Sequence, residues 1–166
     1  MAASRQPHLI LEFLILLAVA NGTPVLAKRL LGSRFAQVLD GGTVFVDGRP
    51  WFGPSKTIRG LVFAMLATTG AAKVIGLGWT VGVLIGATAM ASDLLASFTK
   101  RRLGLASSSQ AIGLDQIPES LFPLLACRFL IPITALDIVV ATFLFFVGEL
   151  LLSRILYRWH LRDRPY

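Results

Sequence analysis

Long apolar runs alternate with two polar stretches along the chain, and this alternation predicts its helices. The apolar runs occupy about residues 8–27, 60–75, 78–99, 119–133 and 135–157. A helix of about 20 apolar residues matches the ~30 Å hydrocarbon core of a bilayer at a rise of about 1.5 Å per residue. The pattern therefore predicts an all-α integral membrane protein, with five transmembrane helices in a single domain that covers residues 1–166.

Turn-forming residues separate these apolar runs. The apolar stretch from residue 61 to residue 98 is too long for one crossing, and Gly76-Leu77-Gly78 provides the turn that divides it in two. The polar stretches, about residues 28–59 and 100–118, are predicted to be two loops. The fourth helix is expected to be short and kinked, because it begins beside Pro118 and Pro123.

Composition and charge support a membrane location and predict an orientation. The chain is 55% hydrophobic and 15% charged, whereas soluble domains average about 25% charged residues. The net charge of +7 comes from Lys and Arg concentrated in the two loops and near the C-terminus, where Arg162 and Arg164 lie. The positive-inside rule then predicts a multi-pass protein of the cell membrane, with its N-terminus outside and its loops and C-terminus cytoplasmic. The single cysteine excludes a disulfide framework, and no cleavable signal peptide is apparent.

Four polar side chains fall inside the apolar runs at about one depth. They are Asn21, Asp93, Arg128 and Glu149, roughly 10–14 Å below the cytoplasmic surface by helix rise. A carboxylate at membrane depth costs on the order of 2.5–3.5 kcal/mol, so it needs a cation, a water-filled cavity or a metal ion. Arg128 and Glu149 could form a buried ion pair that stabilises packing, or the layer could line a polar cavity open to the cytoplasm. Asp93 has no fixed cation at an obvious spacing in its own helix, which favours a functional role.

The first loop ends in a cluster that could bind phosphate. Lys56, Thr57 and Arg59 lie at a predicted helix start, where cations, a hydroxyl and backbone amides can contact phosphate oxygens. Basic residues beside a membrane helix are also ordinary topology signals. The cluster alone is therefore compatible with either a binding site or a simple orientation signal.

The second loop carries a stronger constellation. Asp93 precedes it, Lys100-Arg101-Arg102 opens it, and Asp115 follows a flexible Ser-rich segment. Mg²⁺ is commonly held by one or two carboxylates together with substrate phosphates. The sequence therefore predicts that Asp93 and Asp115 hold Mg²⁺ beside a basic, phosphate-binding loop.

These residues resemble a known family. Residues 92–104, which begin Ser92-Asp93 and end in the basic cluster, and Gly113-Leu114-Asp115-Gln116 are similar to the signature of membrane CDP-lipid synthases. Residues 21–26, 45–49 and 53–60 resemble the archaeal branch, the CDP-archaeol synthase family, which is similar in its C-terminal half to bacterial CDP-diacylglycerol synthase. The bacterial relatives usually carry Gly before the first Asp and Arg after the second, with Gly-His-Gly-Gly between. Ser92, Gln116 and a Ser-rich loop stand here instead, which favours the archaeal branch.

The resemblance implies a Mg²⁺-dependent cytidylyltransferase of membrane phospholipid biosynthesis. CTP and an isoprenoid glycerol-ether phosphate, unsaturated archaetidic acid, would give CDP-archaeol and pyrophosphate. Asp93, Asp115 and Lys100 would be the catalytic residues, with both aspartates as metal ligands. The implied substrate-binding residues are Asn21, Lys56, Thr57, Arg59, Ser97 and Arg101. The implied partners are CTP, the lipid phosphate and the bilayer, and no nucleic acid is expected.

Two other functions are compatible with the sequence. A CTP-dependent polyprenol kinase would transfer the γ-phosphoryl group of CTP instead of the cytidylyl group. A small non-enzymatic membrane transporter would tend to show inverted repeats and polar residues near the bilayer midplane. The chain has no convincing repeat, and its polar layer is displaced toward one face, which is not typical of a transporter.

Overall fold

Five helices make up most of residues 7–158, the part of the chain that the computed structural model describes. They are α1 (Pro7–Leu31), α2 (Ile58–Val74), α3 (Trp79–Arg102), α4 (Gln116–Cys127) and α5 (Ala135–Arg158). Within the described residues, β structure is limited to two isolated bridges, Val38 with Thr57 and Val44 with Pro50. The predicted all-α class is confirmed. Arg162 and Arg164 lie outside the described residues.

The helices differ in their ability to cross a membrane. Among the described residues, His8–Leu31, Trp79–Arg102 and Ala135–Ile155 are long and apolar enough to do so. α2 has 17 residues and α4 has 12, so they extend only about 25 and 18 Å, less than the ~30 Å hydrocarbon core. The structure thus has three membrane-length helices and two shorter ones, and the fourth helix is short, as predicted.

Two helices extend further than the apolar pattern predicts. α1 continues to Leu31 instead of ending near residue 27, and α3 continues to Arg102 instead of ending near residue 99. The added turns carry Lys28 and Arg29 in α1 and three consecutive cations in α3. Cations near a helix C-terminus interact favourably with the helix dipole. A prediction based on apolar residues alone does not include this effect.

α4 is shifted and shortened relative to the predicted helix of residues 119–133. It begins at Gln116, because Pro118 falls in the first turn. Proline is tolerated there, since the N–H groups of the first turn make no hydrogen bond within the helix. It ends at Cys127, since Pro132 cannot donate to the helix and disfavours helical conformation in the residue before it. Arg128 consequently caps α4 and is exposed, instead of lying inside a longer membrane helix.

Both long connections lie at one end of the bundle, here called the loop end. Loop 1 is residues 32–57 and loop 2 is residues 103–115. α1 contacts each of the other four helices, and α3 contacts α1, α2 and α4. The main apolar core fills the half of the bundle away from the loops. Its buried members include Phe13, Leu16 and Leu17 of α1, Ile85 of α3, Leu124 and Cys127 of α4, and Ala141 and Phe145 of α5. The polar groups within the helices are therefore left to the loop half.

α2 and α3 are in close backbone contact at Gly82. A Cβ atom built on Gly82 would lie 2.6 Å from the Cα of Thr69 and 2.9 Å from the carbonyl oxygen of Thr68. Both contacts are with backbone atoms, so a side chain at this position would force the two helices apart. Gly70 of α2 offers a comparison, since a Cβ there would meet nothing within 4 Å.

We expect Gly82→Ala to destabilise the protein by about 1–3 kcal/mol, the usual cost of overpacking. Gly70→Ala should instead stabilise it by about 0.5–1 kcal/mol, because alanine loses less backbone entropy in a helix than glycine. Thermal unfolding of both variants in one detergent measures the difference. Shifts of the same sign in the two variants would contradict the close contact at Gly82.

Candidate functional site

A lysine of loop 1 reaches the bundle and pairs with Asp93 of α3. The Lys56 Nζ lies 2.6 Å from Asp93 Oδ1 and 2.5 Å from Asp93 Oδ2. The two side chains are 23% and 22% exposed, so the pair remains accessible. The cation that the helix of Asp93 does not supply therefore comes from the preceding loop.

Glu119 of α4 is a site residue that the sequence analysis missed. It is 6% exposed, and its carboxyl group lies next to that of Asp93. Lys56 and Glu149 of α5 lie close enough to interact with it electrostatically. The sequence signal was its spacing of four residues from Asp115, which places both carboxyl groups on one face of a helix. That signal was hidden because the fourth helix was predicted to begin at residue 119.

A second ion pair joins the start of α4 to the end of α3. The Lys100 Nζ lies 2.6 Å from Asp115 Oδ1, and the side chains are 10% and 15% exposed. Asp115 Oδ2 accepts a hydrogen bond from the Ala111 N–H at 2.9 Å, and Lys100 Nζ donates to the Ser109 carbonyl at 3.0 Å. This pair ties loop 2 to both helices and is well shielded from solvent.

The two predicted metal ligands, Asp93 and Asp115, are paired with different lysines in this structure. Asp93 and Lys100 are two helical turns apart on α3, about 10 Å. Asp115 lies one turn, about 6 Å, from Glu119 on α4. Among the described residues, no group of three or more His, Cys, Asp or Glu side chains could hold a metal ion. The carboxyl groups in direct contact are those of Asp93 and Glu119.

Thr57 and Arg59 fasten loop 1 to the helices. Thr57 is the N-cap of α2, and its Oγ1 accepts a hydrogen bond from the Gly60 N–H at 3.1 Å. The buried Arg59 donates through Nη1 to the carbonyl oxygens of Gly32 (3.1 Å) and Arg34. Both predicted substrate-binding residues thus have structural partners in this conformation.

The other predicted substrate-binding residues differ in their surroundings. Arg101 is buried and donates through Nη2 to the Ala106 carbonyl at 2.7 Å, which folds the start of loop 2. Ser97 is buried on α3, one turn beyond Asp93 toward the loop end. The Asn21 Nδ2 is buried and has no hydrogen-bond partner within the described part of the chain. Asn21 therefore retains a donor that a bound group could use.

Loop 1 is clasped onto the C-terminus of α3. Arg102 Nη1 donates to Asp47 Oδ1 at 2.6 Å, and its guanidinium lies 4.8 and 4.9 Å from the ring centres of Phe45 and Phe98. Arg49 Nη1 in turn donates to the last two carbonyl groups of α3, at 3.2 and 2.6 Å. These carbonyls have no partner within the helix, so the side chain of Arg49 caps α3. Arg102, which was predicted to belong to a basic, phosphate-binding loop, therefore fastens loop 1 to α3 in this structure.

Asp40 organises the interior of loop 1. Its Oδ1 accepts a hydrogen bond from the Gly42 N–H at 3.0 Å, and its Oδ2 accepts from the N–H groups of Phe52 (2.9 Å) and Gly53 (3.1 Å). Burial opposes ionisation of this carboxyl group, but the backbone donors outweigh burial and lower the pKa of Asp40 below its ordinary value. Asp40 is thus a carboxylate at neutral pH.

The buried ion pair between Arg128 and Glu149, one of the two alternatives for these residues, is not formed. Arg128 is exposed at the far end of α4, and no ion pair joins it to another described residue. Glu149 lies about 21 Å along α5 from Ala135, in the loop half of the bundle beside Glu119. The prediction was wrong because it assumed a longer fourth helix, with Arg128 in its interior.

The resulting arrangement combines cations and carboxylates in the loop half of the bundle. Lys56 and Lys100 carry the ammonium groups, and Asp93, Glu119 and Asp115 carry the carboxyl groups. Ammonium groups can bind phosphate oxygens, and adjacent carboxylates can bind a divalent cation. The site is suited to anionic phosphate substrates that approach from the loop end.

Comparison with known proteins agrees with this chemistry. A family model described as "CarS-like: CDP-archaeol synthase" matches residues 71–166. A CDP-archaeol synthase of Sulfurisphaera tokodaii is 34% identical over 154 residues, which cover 89% of this chain and 84% of that protein. Another, from Hyperthermus butylicus, is 40% identical over 106 residues, 59% of each chain.

A solved structure shares the fold. It is described as an intramembrane enzyme for archaeal membrane lipid biosynthesis and is 29% identical in sequence, with a TM-score of 0.66. The match covers 84% of this chain and 91% of that structure. From the matched family model, the sequence relatives and the shared fold, the chain belongs to the CDP-archaeol synthase family.

Proposed function

We propose that this protein transfers a cytidylyl group from CTP to an isoprenoid glycerol-ether phosphate and so forms CDP-archaeol and pyrophosphate. An oxygen of the lipid phosphate attacks the α-phosphorus of CTP. A new P–O bond forms to the lipid phosphate, and the bond between the α-phosphorus and the bridging oxygen to the β-phosphorus breaks. The attacking phosphate is already ionised, so the reaction needs no strong general base.

The observation that carries this proposal is the group formed by Lys56, Asp93 and Glu119. It joins a lysine to two carboxyl groups in contact, in the loop half of the bundle, and it remains about one-fifth exposed at Lys56 and Asp93. A lipid phosphate can approach this level from the bilayer, while CTP can approach from the loop end. In the proposed complex, Lys56 leaves Asp93 and binds a phosphate oxygen of CTP.

The carboxyl groups fit the Mg²⁺ that the family resemblance implies. Two carboxylates with substrate phosphates are a common Mg²⁺ environment, and Asp93 with Glu119 would supply such a pair once Lys56 has left Asp93. Asp115 could join them only after leaving Lys100. We therefore propose Asp93 as the main metal ligand, with Glu119 beside it and Asp115 as a further ligand. Mg²⁺ would supply positive charge that offsets the repulsion between two anionic reactants.

The remaining predicted residues are assigned supporting roles. Lys100, released from Asp115, binds phosphate at the end of the site nearest the loops. Asn21 uses its unpartnered Nδ2, and Ser97 its position one turn from Asp93, to contact substrate. Thr57, Arg59 and Arg101 hold the loops around the nucleotide through the contacts described above.

Labelled CTP tests the proposed reaction. Purified protein is incubated with Mg²⁺, an isoprenoid glycerol-ether phosphate and CTP labelled at either the α- or the γ-phosphorus. Transfer of the α-label to the lipid supports cytidylyl transfer. Transfer of the γ-label would instead identify a CTP-dependent lipid kinase. If neither labelled form of CTP transfers its label to the lipid, both enzyme assignments are contradicted.

We also propose that all five helices enter the membrane, with both loops cytoplasmic and the N-terminus outside. The support is the concentration of Lys and Arg in loop 1 and in the last turns of α1, α3 and α5, which lie at the loop end. Ser33→Cys and Ser108→Cys place a thiol at an exposed position in each loop. The native thiol, Cys127, is buried, so the unmodified protein is a low-background control. A membrane-impermeant reagent should label both variants only after the membrane is opened; labelling of intact cells would contradict the orientation.

A further inference from the structure

Hydrogen bonds hold the backbone of Lys56 in place, and the carboxylate of Asp40 takes part in them. The Lys56 N–H donates to the Gly53 carbonyl at 3.2 Å, and the Lys56 carbonyl accepts from the Leu39 N–H at 2.8 Å. Asp40, which follows Leu39, accepts from the Gly53 N–H through Oδ2 at 3.1 Å. These four residues form a circuit of hydrogen bonds that fixes the position from which the Lys56 side chain extends.

Ser107 of loop 2 lies close to Gly53 of this circuit. Gly53 has a φ of +93°, and a Cβ built there would lie 3.1 Å from Ser107 Oγ. Only glycine adopts this conformation readily, and the nearby Ser107 leaves little space for a side chain. From this fixed backbone, the Lys56 ammonium reaches both carboxylate oxygens of Asp93.

We propose that Asp40 is a positioning residue for nucleotide binding, which shapes loop 1 so that Lys56 meets the triphosphate of CTP beside Asp93. The inference rests on the proposed function, since it takes the triphosphate as the ligand of Lys56. Asp40 acts through Lys56. A lysine side chain loses much rotamer freedom when it is fixed by a ligand, and ordering its backbone in advance lowers the cost of binding.

The charge on Asp40 is part of this role. Hydrogen bonds to an ionised acceptor are roughly twice as strong as those between neutral groups, and three backbone N–H groups converge on this carboxylate. An asparagine of the same size would keep one acceptor oxygen but would turn an NH₂ group toward an N–H donor. Asp40→Asn is therefore expected to loosen residues 52–56 without removing bulk from the loop.

The first test compares Asp40→Asn with Asp47→Asn in the CTP-dependent reaction. We expect Asp40→Asn to raise the KM for CTP about tenfold with a change in kcat below about threefold, because ground-state and transition-state binding are weakened alike. Asp47 is a matched carboxylate of the same loop that binds Arg102 and the Arg49 N–H instead. A similar rise in KM in both variants would overturn the proposal, since it would indicate general loosening of loop 1.

A double-mutant cycle tests whether Asp40 acts through Lys56. In a Lys56→Ala background, Asp40→Asn should change the KM for CTP by less than about twofold, because the group that Asp40 positions is absent. If the KM for CTP of the double variant instead rose by the product of the two single increases, the inference would be overturned. Should Asp40→Asn not yield folded protein, Asp40→Ser, which keeps an acceptor oxygen without the charge, replaces it under the same expectations.

Amide hydrogen exchange separates this inference from the proposed function. Without substrate, Asp40→Asn should lose protection at Phe52, Gly53 and Lys56, whereas protection within the five helices should match the wild type. Unchanged protection at these three amides would overturn the positioning role whatever the activity. Failure of the wild-type protein to transfer label from CTP would count against the proposed function alone.

Discussion

Asp93→Asn is expected to lower kcat/KM for CDP-lipid formation at least about a hundredfold while leaving the protein folded. The proposed Mg²⁺ site loses its main anionic ligand, and metal stabilisation of charge in a transition state contributes several kcal/mol. Each 1.36 kcal/mol corresponds to about a factor of ten in rate. Excess Mg²⁺ should restore little of the activity. The measurement is the initial rate of label transfer from α-labelled CTP, with thermal unfolding recorded on the same preparation.

Glu12→Gln provides a matched control for this change. Glu12 is a partly buried carboxylate of α1 that lies toward the end of the bundle away from the loops. Its replacement should leave the rate within about twofold of the wild type, as expected for a substitution outside the site. A structural role for Asp93 predicts a different pattern, in which Asp93→Asn lowers thermal stability but the folded fraction retains near-normal activity. That pattern would remove Asp93 from the catalytic site.

The second large effect is expected at the ion pair between Lys100 and Asp115. Asp115→Asn leaves the shielded Lys100 ammonium without its carboxylate partner, and breaking a buried pair typically costs about 3–5 kcal/mol. Lys100→Met combined with Asp115→Asn removes both charges and should recover much of that loss, because no unpaired ion remains. Denaturant unfolding of the wild type, the two single variants and the double variant measures these differences. The double variant could instead lose as much stability as Asp115→Asn alone, or as much as the two single variants together. Either result would contradict a direct contribution of the pair.

Activity of the same double variant tests the catalytic role of the pair. If Lys100 and Asp115 contact phosphate and metal during the reaction, the double variant should be stable and yet more than about tenfold slower than the wild type. A stable double variant with wild-type activity would show that the pair only holds loop 2 to α3 and α4. Stability and activity are thus separated within one set of proteins.

The helices were largely predictable because their signals are local. Each apolar run marks a helix, and Gly76 and Gly78, both at positive φ, form the turn that divides the longest run. The prediction failed at helix ends, where charge and proline decide the outcome. Cations extend α1 and α3 beyond their apolar segments, and Pro132 ends α4 early. The wrong end of α4 led directly to the wrong partner for Glu149.

The site was predictable as a set of residues but not as a set of contacts. Asp93 is conspicuous as a carboxylate in an apolar run, and Lys56 as a cation beside a helix start. Their pairing depends on the path of loop 1, which brings together residues 37 positions apart. The contact of Glu119 with Asp93 depends on how α3 and α4 are aligned. Neither the loop path nor this alignment follows from local pattern.

The clasp between loop 1 and α3 has a consequence for the order in which the chain folds. Arg49 and the carbonyl group that it caps at Arg102 are 53 residues apart, and such distant contacts form late because the intervening chain must first be ordered. During synthesis, loop 1 emerges before α3 exists. Loop 1 therefore remains undocked until α3 has been synthesised, and only then can Lys56 pair with Asp93. Nascent chains that stop before Arg102 should be cut readily by protease in loop 1, and longer chains should resist.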